Sequence, residues 1–214
     1  MPDKKISEII SDREFGYEPP WAYNNELALR CSLGDVRAKK RAVLKRAQHI
    51  FDALCGGGVD SVFFEHYVFD SSAAWTEIGF YLPSRAAFAE ERRIYELMRE
   101  FDAFPHRTIV DVAVDRSRYD DAFVRKNRCI AEVNGMGFDA KKYIANDLFT
   151  VAPTVHFVSE ANSCILSFYD DRGADIVFFS KQKYDEHFDG LREYLNAYDL
   201  ELMQSRRDRK PFAE

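Results

Sequence analysis

The chain has 214 residues, 46% of them hydrophobic, with 18 Phe and 11 Tyr, and carries a formal net charge of −6. That content excludes a disordered chain, and no apolar run approaches the ~20 residues of a membrane helix. A single domain of this length buries roughly 70% of its unfolded surface without a metal or disulfides, and the acidic balance argues against a dedicated nucleic-acid binder while suiting a basic partner.

Residues 1–20 mix charges with Gly16, Pro19 and Pro20 and show no sustained period. They are expected to form an N-terminal extension with at most a short helix. The opening Met1-Pro2-Asp3-Lys4-Lys5-Ile6 has no apolar stretch before a small-residue cleavage site, which predicts a cytoplasmic protein. One α+β domain is expected over 21–205. Arg206, Arg207, Arg209 and Lys210 are expected to lie in a solvated tail, 206–214.

Residues 26–33 alternate imperfectly and stop at Gly34-Asp35, the pattern of a strand and turn. In 36–55, Val43, Ala47, Ile50, Phe51 and Leu54 recur at helical spacing, and Gly56-Gly57-Gly58 ends that helix. Residues 61–69 and 76–82 are rich in Val, Phe and Tyr and read as an antiparallel pair joined by Asp70-Ser71-Ser72. Pro83-Ser84 stops the second and caps a helix running to Phe101.

Residues 108–114 are β-branched on one parity and predict a strand. Ser117 with Asp120 resembles a capping box that opens a helix to about Val133, closed by Asn134-Gly135. Residues 139–150 fit neither period cleanly. Residues 154–159, 164–169 and 175–179 read as a meander of three short strands. A last helix over 181–204 aligns Tyr184, Phe188, Leu191, Leu195, Tyr198 and Leu202 on one side. The sum is an α+β fold, a single antiparallel or mixed sheet of about six strands covered by three to four helices on one face.

The most specific local feature is Phe168-Tyr169-Asp170-Asp171-Arg172-Gly173-Ala174-Asp175-Ile176. As structure it is a hairpin: Asp170 accepts a backbone N–H two residues on, and Gly173 supplies a positive φ that closes a type I turn with a bulge. As function, Asp170, Asp171 and Asp175 orient Arg172 or offer hard oxygen ligands to a cation, although the spacing of a calcium loop is absent.

Other chemistry is sparse. Cys31, Cys55, Cys129 and Cys164 form no CxxC pair and read as reduced, buried apolar residues. His49, His66, His106, His156 and His187 show no ligand spacing, so neither a metal nor a cofactor is expected. No GxSxG occurs, and the triple glycine lacks the Lys-Ser/Thr of a phosphate loop. Arg37, Lys39, Lys40, Arg41, Lys45 and Arg46 crowd the first long helix; a solvated polar face explains them, and a phosphate-contacting face is the sharper alternative.

The segment Tyr169 to Asp175 resembles the Tyr-Asp-Asp-Arg-Gly-x-Asp signature of a bacterial family, the domain of unknown function 3885. Two further stretches agree in order and spacing, Leu29-Arg30-Cys31-Ser32-Leu33-Gly34 and Arg46-Ala47-Gln48-His49-Ile50-Phe51. Ser32 stands where members often carry Glu. Some members are associated with Rhs-type toxin systems, so the resemblance implies a cytoplasmic accessory or immunity protein.

Two readings follow. In the first, the chain binds a partner protein, such as a basic toxin, through an acidic, aromatic-bearing surface. In the second, it is an enzyme or small-ligand-binding domain whose pocket uses Asp170, Asp171, Arg172 and Arg30, with Asp175 beside them. An RNA-associated protein using 37–46 is a third and weaker reading.

Overall fold

Several strands carry apolar residues on both parities, and the sheet is accordingly covered on two faces and not on the one face expected. In the computed structural model, residues 5–15, 21–34, 38–69, 84–112, 123–134, 138–149 and 153–209 are described. Their strands are β1 (Ala28–Ser32), β2 (Ser61–Phe69), β3 (Arg107–Val112), β4 (Phe123–Glu132), β5 (His156–Ser159), β6 (Cys164–Asp170) and β7 (Gly173–Phe178). They make one antiparallel sheet in the order β1-β7-β6-β5-β2-β4-β3. The helices are α1 (Ile6–Ile10), α2 (Trp21–Asn24), α3 (Lys40–Cys55), α4 (Ser84–Phe101), α5 (Ala140–Phe149), α6 (Lys181–Gly190) and α7 (Leu200–Asp208).

One face packs Leu29, Cys31, Phe64, Phe157, Leu166, Phe168 and Ile176 against apolar stripes of α3, α4, α5 and α6. The stripe read in α3 is the buried one, from Val43 to Leu54. The opposite face buries Phe63, Val110, Ile130, Val158, Ile165 and Val177 beneath Ile6, Ile10 and Phe15. The N-terminal segment, set apart in the sequence, is thus the cover of the second face. All four cysteines are free and buried, as read. Burial pushes their thiols up, Cys129 to about 11 and Cys164 to about 12.

Three expectations are corrected. The helix expected up to Val133 is strand β4. Its alternation is hidden because Lys126 and Arg128 occupy positions on the second face, both buried, where Glu65 of β2 neutralises them. The helix expected over 181–204 breaks after Gly190. There the chain turns along β1: Ser32 N–H donates to the Tyr194 carbonyl (2.7 Å), Asn196 N–H donates to the Arg30 carbonyl (2.8 Å), and Leu195 bridges Cys31. Satisfying the open edge of β1 outweighs helical propensity, so Tyr198 ends outside the apolar stripe. Finally, the basic run from Arg206 is helical to Asp208; Arg206 is buried and Arg207 pairs with Asp189 (2.6 Å). The expected strand 76–82, the turn 70–72 and the capping box at Ser117 and Asp120 lie outside the described residues.

The second face is closed by charge as well as by apolar contact. Arg128 is fully buried (0%) between the rings of Phe15 and Phe63. Its guanidinium donates to Glu65 (2.8 Å) and to the carbonyls of Ile10 (2.8 Å) and Phe15 (2.6 Å). The Glu160 carboxylate accepts the N–H groups of Ile6 (2.9 Å) and Ser7 (2.8 Å) at the start of α1. Both ends of the strap are therefore fixed by ionic groups of the sheet layer.

Two predictions follow from this face. Glu65→Ala leaves Arg128 and Lys126 without their shared anion, and removing one partner of a buried charged set costs about 3–5 kcal/mol. Urea unfolding measures it; a loss below about 1 kcal/mol would contradict the assignment. The second concerns His156, held neutral by burial and by the nearby charges of Arg128 and Lys126. Its folded pKa lies below the unfolded value, so its contribution is fully present above about pH 6.5 and declines as pH falls below that, by up to about 1.4 kcal/mol per unit. His156→Asn should flatten the stability profile between neutral and mildly acidic pH; an unchanged slope would refute the attribution.

Candidate functional site

The five residues singled out in the sequence divide into two groups at one end of the sheet. The first is built on β1 and β7, where the antiparallel register places Arg30 opposite Asp175 on the second face. Asp175 is almost fully buried, and Arg30 is three-quarters or more buried by side-chain area. Arg30 Nε and Nη2 donate to the two oxygens of Asp175 (3.0 and 3.3 Å), a bidentate pair. Nη1 donates to the Tyr23 hydroxyl (3.2 Å) and lies 3.6 Å from Asp199, which in turn accepts from Tyr23 (2.7 Å). Burial lowers the guanidinium pKa, but the hydrogen bonds and charge of Asp175 more than offset this, and the net shift is upward.

The rings complete the arrangement. Arg30 stacks on Tyr23, 4.9 Å to the ring centre, and on Tyr169, 5.7 Å. The hydrogen bond to Asp199 raises the Tyr23 phenol, and burial together with Asp175 raises that of Tyr169, so both stay neutral at physiological pH. Next to Asp175 in register stand Ser167 and then His156, which share a hydrogen bond (2.7 Å) inside the sheet layer.

The second group is the hairpin tip. Arg172 N–H donates to Asp170 Oδ1 (2.8 Å), the backbone capping read from the sequence, and the Arg172 guanidinium pairs with Asp170 Oδ2. Asp171 is exposed at the tip. Asp175 therefore does not orient Arg172; it is committed to Arg30 within the sheet. Tyr23, Tyr169 and Asp199 were not legible as site residues. Tyr23 meets Asp199 across 176 residues of chain, and no local pattern announces such a contact.

Gly173 also has a different reason from the one expected. Its φ lies outside the left-handed region. The register shifts between Phe168 and Asp170, which places the irregularity at Tyr169. That bulge swings the phenol over Gly173 toward Arg30. A Cβ at Gly173 would run into the Tyr169 hydroxyl and lie 3.1 Å from the Cys31 carbonyl. Glycine is there so that a tyrosine can cross β7.

Elsewhere, a cavity of about 520 Å³ opens between α3 and α5, lined by Phe51, Asp52, Cys55, Phe138, Asp139 and Lys141 among others. None of the five residues reaches it. Among the described residues no group of three or more His, Cys, Asp or Glu could hold a metal ion, and no helix is long and apolar enough to cross a membrane. The basic face of α3 is solvated at Lys39, Lys40, Arg41 and Lys45, while Arg46 stacks on Tyr194.

Gly173→Ala should lower stability by about 1–3 kcal/mol through overpacking, and by much less when Tyr169 is also replaced by Ala. A double-mutant cycle by chemical denaturation measures the coupling. Strict additivity of the two substitutions would rule out the crossing as the reason for glycine.

No curated protein and no solved structure matches the chain. A family model described as a domain of unknown function (DUF3885) matches residues 3–199, a span that takes in the strap over the second face, the β1–β7 pair, the hairpin and Asp199. The chain belongs to the DUF3885 family.

Proposed function

We propose that this protein acts by binding another protein through the tyrosine-bearing, acidic end of the sheet, and that its partner is basic, as a nuclease-type toxin neutralised by an immunity protein would be. The observation that carries this reading is the clamp on Arg30. Tyr23 and Tyr169 are both partly exposed yet held in place from below by a buried cation. Tyr198, 89% exposed, stands near Tyr23 on the turn that pairs with β1. Tyrosines already fixed in their bound orientation lose little side-chain entropy on association, which is the property of interface hot spots. The hairpin tip, with Asp170 paired to Arg172 and Asp171 exposed beside them, keeps a net negative charge at the rim, where it speeds encounter with a cationic partner.

The chemistry of the cluster supports binding over turnover. Arg30, Asp175, Asp199 and Tyr23 are all engaged with one another, so none is left as a proton acceptor or nucleophile poised over a concavity. The small-ligand alternative needs Asp170, Asp171 and Arg172 to share a pocket with Arg30; Arg172 is paired with Asp170 at the hairpin tip and Arg30 with Asp175 inside the sheet, which favours the binding reading.

Co-expression with a basic toxin-like protein, sought first among the products of the neighbouring genes, followed by pull-down and growth rescue, is the direct test. Tyr198→Ala should weaken the complex about tenfold or more. Asp170→Lys with Asp171→Lys should slow association more than it speeds dissociation, with the effect shrinking as salt rises past a Debye length of about 10 Å at 0.1 M. A folded protein that neither binds nor protects against an active toxin would sink the reading for that pair.

A further inference from the structure

The two edges of the sheet are finished differently. At β1 the outward backbone groups of Arg30 and Ser32 are taken by Asn196 and Tyr194. At β3 they are not. Glu132 N–H donates to the His106 carbonyl (2.9 Å), and the register then turns Thr108, Val110 and Val112 toward β4. Arg107, Ile109 and Asp111 consequently direct their N–H and C=O groups away from the sheet, and among the described residues no strand pairs with them. Their side chains are exposed too; Ile109, a β-branched apolar residue, is 50% exposed at the middle of the edge.

The charges about Ile109 are arranged symmetrically and with opposite sign, Arg107 two residues before and Asp111 two residues after. An edge guarded against association carries like charges that repel a second edge. This one is complementary to itself when run antiparallel.

We propose that β3 pairs with β3 of a second copy about a two-fold axis through Ile109, joining two seven-stranded sheets into one. In that register Ile109 meets the partner subunit's Ile109, and Arg107 meets the partner subunit's Asp111 at both ends. All three pairs are of the hydrogen-bonded type, giving about six backbone hydrogen bonds, with the side chains of the paired residues on one face. Arg107 pairs with Asp102 within its own chain, and a guanidinium with five donors can keep that contact while taking a second carboxylate. The contact is isologous, as a closed dimer requires. It is small, so the dimer is expected to be weak, in the micromolar range.

Sedimentation velocity on the full chain, from low to several hundred micromolar, reads the outcome. The wild type should shift from monomer to dimer with concentration. Asp111→Arg places arginine opposite arginine and should abolish the dimer, whereas Arg107→Asp combined with Asp111→Arg restores the opposite charges and should recover it. Ile109→Lys should also give a monomer. Thermal melts matching the wild type show that each variant is folded. A wild type that stays monomeric throughout, a folded Asp111→Arg protein that dimerises as tightly, or a folded double variant that fails to recover would each overturn the proposal.

Discussion

A guanidinium with no exposed surface, Arg128, is the constraint on which this architecture turns. A sheet whose strands carry apolar residues on both parities must have both faces dry, and here, among the described residues, one face receives the long helices while the other receives the short N-terminal strap and, at β1, Tyr23 of α2. That strap has few apolar residues to offer, chiefly Ile6, Ile10 and Phe15. Arg128 makes up the difference by reaching the strap's carbonyls and Glu65 at once, and by lying between Phe15 and Phe63. A lysine cannot serve these acceptors, because it lacks the planar fork. Burial of the ion is tolerable only because every direction it faces is satisfied.

Arg30 occupies the same face and solves a different problem. Near the sheet's edge a largely buried arginine is held by two carboxylates and two aromatic rings. The consequence is external. Rings that shield Arg30 from water turn their outer sides to solvent, so the groups that stabilise the ion pair also form the surface a partner would meet. On the proposed reading structure and binding would share the same residues, and a substitution at Arg30 would confuse the two, whereas Tyr198 and Asp171 lie far enough out to separate them.

What the sequence disclosed and what it hid divide along one line. Strands β1, β2, β5, β6 and β7 were readable as short, mostly apolar runs bounded by turn residues, and helix α3 because its buried positions are apolar and follow the helical period. Strand β4 was missed because two of its inward positions are Lys126 and Arg128, and a rule that equates charge with exposure then fails. The break after Gly190 was missed for a related reason: Leu191, Leu195 and Tyr198 keep helical spacing, and only the unsatisfied edge of β1, far away in the chain, decides against it. The Asp-Asp-Arg-Gly turn was legible as a hairpin, and Asp170 caps it as expected. The reason for Gly173 was not, since it lies in the Tyr169 hydroxyl folding over the glycine toward Arg30, which belongs to a strand far away in the chain.

The strand order gives the two candidate contacts their relation. The clamp on Arg30 belongs to β1 and β7, and the open edge belongs to β3, six strand spacings away, or about 29 Å at 4.8 Å each. A partner seated on the tyrosines therefore does not compete with pairing through β3. In a dimer joined at β3 the two clamps would stand at the far ends of a doubled sheet, one per subunit, too far apart to grip a single small partner yet suited to two partners or to a partner that is itself a dimer. Linking two equal sites in this way raises overall affinity through effective concentration alone, provided that the partner's geometry allows both to engage.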